Sequence, residues 1–380
     1  MNPLKTQTPV HSAQSQLRQR WEAYVSDQTR LSALCLLSQM WLSHSLFLSD
    51  HTATPSYLSA LLFLLPAALL YFLCRLVARE CGKSTCAMDA LLPRQFAFVM
   101  RTFIALSLLT DGIFLLCGVS SLLNEMLPTV RRYIIVPFLC CVCFGALVRN
   151  TPDAIFRLAG YLFFPLLIGL GLSASPALPE GDVHHFFPML GHGASTVLQG
   201  TRFLMGSAGC VCLPLLLPDP TPAHMRQANP RIRAGLLLLL CGLAASMVMA
   251  LYSYLLPAHM LTDSRSIGAR LLLPVQVSSS VPGWSLYVCM LVLLLFIAYT
   301  GAISRCAVFL TAPSAISQPP SALKLLILIA LTGIPAFFYS HRIQSMLTAL
   351  LPWRFLPYVL AVLCCLPMAI RSLCKRRAAP

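Results

Sequence analysis

Asp111 is the only acid deep within an apolar run of this 380-residue chain, and Arg202 lies within another. An ionised group in hydrocarbon is costly and usually faces a cavity or a partner. Asp111 falls roughly 22 Å from the cytoplasmic start of its run and Arg202 roughly 10 Å from the outer start of its own, at about 1.5 Å per helical residue. Across a core of about 30 Å these depths nearly coincide, which predicts an Asp111–Arg202 ion pair bordering a binding site.

Two polar interruptions fall at similar depth. Ser38-Gln39-Met40-Trp41-Leu42-Ser43-His44-Ser45 breaks one Leu-rich run, and Gly206-Ser207-Ala208-Gly209 breaks another. Unwound backbone at such points presents N–H groups and carbonyls to a ligand, whereas small residues in a continuous helix only permit close packing. Tyr299-Thr300-Gly301 adds two hydroxyls beside a helix-loosening Gly, lining the same cavity or serving helix packing. The candidate ligand-binding set is therefore Ser38, Gln39, Ser43, His44, Asp111, Arg202, Gly206, Ser207, Gly209, Tyr299 and Thr300.

Catalytic and metal chemistry fare worse. His44 with Ser43 or Ser45 is the nearest thing to a nucleophile and base, but adjacent residues on one helix do not face each other. His184, His185 and His192 have no convincing carboxylate to complete a metal set and read as solvated loop histidines. Cys81 and Cys86 form one C-x4-C pair without a second pair at ligand spacing. No phosphate-binding loop, nucleophile elbow or zinc-protease motif occurs. No enzyme activity, cofactor or metal is expected.

The elements that must position these residues follow from composition. The chain is 57% hydrophobic and 10% charged, with 27 Lys+Arg against 12 Asp+Glu. Soluble domains run nearer 25% charged, so the pattern is that of an all-α integral membrane protein. Runs of 17–25 apolar residues give ten spans: Leu31–Leu48, Tyr57–Val77, Phe96–Leu123, Tyr133–Val148, Ile155–Leu172, Ser195–Leu217, Ala234–Leu256, Ser285–Leu310, Leu323–Tyr339 and Phe355–Leu373. The segments before Leu31 are polar and lack the order of a signal peptide.

Lys and Arg orient the spans. Four lie in the N-terminal tail, five around the second-to-third loop, seven in the other inner loops (Arg305 among them) and four in the C-terminal tail, with six outside. Both termini are therefore expected in the cytoplasm. The basic excess reports topology, and no dense basic tract with interleaved aromatics points to nucleic acid. Residues 1–28 form a cytoplasmic tail, 29–373 the ten-helix domain and 374–380 a second tail. Two halves of five spans lie in opposite orientation. That predicts a 5+5 inverted-repeat, LeuT/APC-type transporter fold with broken first and sixth helices.

The ordered pieces Asp27-Gln28-Thr29, Leu127-Pro128, Thr151-Pro152-Asp153-Ala154-Ile155-Phe156-Arg157-Leu158, Phe186-Phe187-Pro188-Met189-Leu190 with Gly193, and Leu217-Pro218 resemble the spore germination permease family. These are the permease-like B subunits of spore germinant receptors, within the amino acid–polyamine–organocation transporter superfamily. The resemblance runs from about Asp27 to Leu373. The chain departs from it where family members often carry a Gly in the first break and an acid early in the sixth span. The resemblance implies a subunit in the bacterial cell membrane or spore inner membrane that binds a small germinant, typically an amino acid, at mid-membrane. It further implies signalling to partner subunits, one with soluble domains and one a lipoprotein. The alternative is a secondary active transporter of amino acids or polyamines.

Overall fold

The structure, a computed structural model, describes residues 27–43, 56–80, 93–127, 132–186, 193–205, 230–255, 282–310 and 320–338, with helical positions at 359, 362–363, 365–366 and 370. The described elements are helical: α1 (residues 27–43), α2 (Ser56–Glu80), α3 (Arg94–Met126), α4 (Arg132–Arg149), α5 (Pro152–Ala174), α6 (Ala194–Met205), α7 (Pro230–Leu255), α8 (Pro282–Leu310) and α9 (Ala322–Phe338). Each falls on a run predicted from hydropathy. Helices α2, α3, α5, α7 and α8 are long and apolar enough to cross a membrane, and α4 and α9 are shorter apolar helices.

Local chemistry explains several boundaries. At the start of α5, Thr151 is extended and its hydroxyl accepts from the Ala154 N–H at 3.4 Å, with Pro152 in the first turn. Proline loses nothing there, because that N–H has no intrahelical partner. Asp153 then pairs with Arg157 one turn on at 2.6 Å, a favourable acid near the helix N-terminus. After α5 come two 3-10 turns, Ser175–Glu180 and Val183–Phe186. Pro66, Pro137, Pro165 and Pro335 lie inside helices, which membrane bundles tolerate when neighbours re-satisfy the freed carbonyl.

The centre of the bundle is α1, α3 and α8. From Leu31 to Leu42 every apolar residue of α1 is at most 3% exposed. The apolar spans of α3 and α8 are 72% and 67% buried, against 39% for α2, so α2 lies at the periphery. Large apolar residues are exposed on α2, α5, α7 and α9, including Leu65, Phe72, Tyr161, Leu236, Met247 and Leu323. Such a surface suits hydrocarbon. Helices five apart in span order pack together, α2 on α7, α3 on α8 and α4 on α9, as expected of two halves related by an axis in the membrane plane. Of the interruption predicted at Ser38–Ser45, residues Ser38 to Ser43 continue α1 as unbroken helix; His44 and Ser45, and the break predicted at Gly206–Gly209, lie outside the described residues.

Close approach is purchased with glycine. A Cβ on Gly118 would meet Leu42, and one on Gly301 would meet Leu31, so α3 and α8 both lie against α1. Trp41 packs edge-on against Tyr287 near the other end of the α1–α8 contact, with ring centroids 6.2 Å apart.

Candidate functional site

Asp111 is 2% exposed in α3. It stands seven residues, two helical turns, before Gly118, whose face packs on Leu42 of α1, so Asp111 lies on the stripe of α3 turned to α1. On α1, Ser38, Gln39 and Ser43 are also buried. The Ser38 hydroxyl donates to the Leu34 carbonyl at 2.7 Å. That bond satisfies a buried hydroxyl within its own helix.

The predicted Asp111–Arg202 pair does not form. Thr201 donates to the Ser59 carbonyl of α2 at 3.2 Å and to the Val197 carbonyl at 2.9 Å, which docks that side of α6 on α2. The next residue points elsewhere, and Arg202 is exposed. The ion pairs that join described residues are Arg30–Asp27 and Arg157–Asp153. Matching depth in the bilayer did not bring the two charges together, because depth says nothing about azimuth.

Tyr299 and Thr300 are buried, but Tyr299 faces the scaffold. Its hydroxyl shares a hydrogen bond with the Thr332 hydroxyl of α9 at 3.0 Å. A Cβ on Gly112 would touch both side chains. Thr300 donates to the Phe296 carbonyl at 2.9 Å. Ser38, Gln39 and Ser43 are thus buried on α1 and Asp111 on α3, while the Tyr299 hydroxyl of α8 is turned to α9. His44, Gly206, Ser207 and Gly209 lie outside the described residues.

Sequence reasoning misplaced Arg305, counted above as a cytoplasmic loop charge. It lies within α8 and is 1% exposed. Its Nη2 donates to the Ser32 hydroxyl at 2.8 Å and to the Gln28 carbonyl at 3.3 Å, and its Nη1 approaches the Cys35 thiol at 3.8 Å. All three partners are on α1 and all are neutral. Arg305 Nε and the hydroxyl of Ser304 are buried with no partner among the described residues. The signal was present: Arg305 falls five residues inside the predicted span Ser285–Leu310.

A second set of contacts ties the start of α1 to α5. Arg30 pairs with Asp27 at 3.6 Å, donates to the Gly160 carbonyl of α5 at 3.4 Å and lies over the Phe164 ring at 5.6 Å. A Cβ on Gly160 would collide with the Asp27 carboxylate. Burial pushes the Asp27 carboxyl up, an effect that Arg30 and Arg157 offset only in part.

In the connection after α5, His185 Nδ1 lies 3.0 Å from the Tyr254 carbonyl, and the His184 N–H donates to the Asp182 carboxylate at 2.9 Å. Among the described residues no group of three His, Cys, Asp or Glu is placed to hold a metal.

No family model matches the chain, and no curated protein matches it. Solved structures do. A manganese transporter of Eremococcus coleocola, in complex with an aromatic bis-isothiourea substituted compound, matches with a TM-score of 0.59 at 15% identity, covering 93% of this chain and 78% of that one. Two mutants of the same transporter match with TM-scores of 0.55 and 0.54, at 16% and 15% identity and the same coverage. At this identity the likeness establishes the fold: a multi-pass, all-α membrane protein of transporter architecture.

Proposed function

We propose that the chain is the permease-like subunit of a spore germinant receptor, holding a small nutrient, in the first instance an amino acid, at mid-membrane. The observation that carries this reading is Asp111, a carboxylate buried on the face of α3 that packs against α1. A buried intramembrane acid on the central helix pair is a functional group before it is a structural one, and a carboxylate suits an ammonium. The transporter fold and the ordered segments at the starts of α1 and α5 support the same reading. Ligand binding would favour one arrangement of α1 against α3 and α8, and the population shift would pass to a soluble-domain membrane subunit and a lipoprotein subunit.

The test is thermal stabilisation of the purified protein by each common amino acid, repeated with Asp111→Asn. A rise in Tm with at least one amino acid, lost in the variant, supports the reading. Stabilisation that survives Asp111→Asn moves the site elsewhere.

A second reading, secondary active transport, is favoured by the likeness in fold to a manganese transporter. Uptake of a labelled amino acid or polyamine into proteoliposomes separates transport from reception.

A further inference from the structure

A groove of about 390 Å³ runs between α2 and α7. Leu64, Ala68, Tyr71 and Phe72 form one wall and Gly235 and Leu239 the other, and Leu36 of α1 lies at its floor. Leu36 is 2% exposed, whereas Phe72 is 53% and Leu239 42% exposed, so the floor is interior and the rim faces outward. The neighbouring outward residues Leu65, Leu69, Leu236 and Leu240 are all large, apolar and exposed. In a membrane that rim meets hydrocarbon.

Two glycines set the register of the walls. A Cβ on Gly235 would meet Tyr71, and one on Gly242 would meet Leu64. Seven residues forward on α7 correspond to seven backward on α2, a constant antiparallel register. Continued past the groove, it brings Arg75 of α2 level with Arg231 of α7, with Arg79 and Arg233 within about a turn of that level. These four arginines share the helix ends assigned above to the cytoplasmic face. The acid carried by either helix is Glu80 alone, so at this end the two helices together carry an excess of positive charge.

We propose that this is a binding site for an anionic phospholipid of the cytoplasmic leaflet. One acyl chain fills the groove and reaches Leu36, and the phosphate lies at the level of the four arginines. An apolar slot open to the bilayer selects a hydrocarbon chain, and a basic cluster at the headgroup level selects an anionic phosphate. Because the floor belongs to α1, the bound chain packs against the helix that carries Ser38, Gln39 and the contacts to Arg305. The lipid therefore favours the docked position of α1. This inference stands apart from the identity of the central ligand.

The experiment compares the purified chain in nanodiscs of phosphatidylcholine with nanodiscs containing phosphatidylglycerol, reading Tm and, by native mass spectrometry, the lipid retained. Phosphatidylglycerol is expected to raise Tm and to be retained over phosphatidylcholine. Arg231→Gln with Arg233→Gln should weaken its retention about 25-fold, at roughly a factor of five per arginine near the surface, and leave Tm in phosphatidylcholine unchanged. Ala68→Trp, which fills the groove, should abolish the phosphatidylglycerol shift; should that variant not fold, the arginine variant decides alone. Equal effects of the two lipids, or a shift that survives the arginine changes, would overturn the proposal. A shift of the same size from inorganic phosphate or glycerol phosphate in phosphatidylcholine would also overturn it, by showing that the acyl chain plays no part.

Discussion

Arg305 Nη2 donates to the Ser32 hydroxyl at 2.8 Å, tying α8 to α1 between residues 273 apart in sequence. Among the described residues the guanidinium has no carboxylate partner, and its other contacts there are the Gln28 carbonyl and the Cys35 thiol. A buried cation held by neutral groups depends on every acceptor it has, because each lost acceptor leaves charge desolvated and uncompensated.

That dependence is asymmetric. Ser32→Ala should destabilise the protein by about 2 kcal/mol, the cost of removing a hydrogen bond to a charged group. Arg305→Met should cost less. With the charge gone, Ser32 can donate to the Gln28 carbonyl one turn back, the bond that Ser38, Thr201, Ser246 and Thr300 already make in their own helices. In the Arg305→Met background the penalty of Ser32→Ala should nearly vanish. Thermal or denaturant unfolding of the four proteins of the cycle decides it; additive costs would show that the two side chains do not act together.

A few residues earlier on the same helix, Gly301 lets α8 approach Leu31. An added Cβ would lie 2.6 Å from Leu31 Cδ1 and 3.1 Å from Cδ2. Gly301→Ala should therefore destabilise by about 1–3 kcal/mol through overpacking. Leu31→Ala, which removes the obstructing atoms, should recover most of that loss when the two are combined. Failure of the combination to improve on Gly301→Ala would mean that the glycine is needed for another reason.

Asp27 supplies a pH dependence. Its carboxyl titrates above the ordinary value of 3.8 because burial outweighs Arg30 and Arg157. The folded chain therefore holds this proton more tightly than the unfolded chain. Its contribution to stability is full below pH 3.8 and declines as pH rises through the raised value. Asp27→Asn should flatten that portion of the Tm–pH curve. A contribution of opposite sign, or one unchanged by the substitution, would show that the carboxylate is held mainly by its cationic neighbours.

The helices were legible because a bilayer reads sequence locally. The run Phe96–Leu123 became α3 at Arg94–Met126, and Ile155–Leu172 became α5 at Pro152–Ala174, with Thr151 and Pro152 marking its start. Asp111 could be singled out for the same reason, since one acid in an apolar run needs no partner to be conspicuous. The site around it was only partly legible. Arg202 and Arg305 both lie within predicted spans, but the first is exposed and the second is among the most buried side chains of the described residues. Tyr299, grouped with the ligand residues by its hydroxyl, gives that hydroxyl to Thr332.

The sequence by itself determined which segments are helices, how long they are and which charges are anomalous, because insertion into hydrocarbon depends on the hydropathy of each segment alone. Only the tertiary structure decided the azimuth of each helix: that α1 is enclosed, that Arg305 turns to Ser32, that Arg202 turns away. Lipid tails are as apolar as leucine, so a membrane helix carries apolar residues around its whole circumference and its sequence does not mark the side that meets protein. That choice falls to glycines such as Gly118 and Gly301, which set how closely two particular helices can lie.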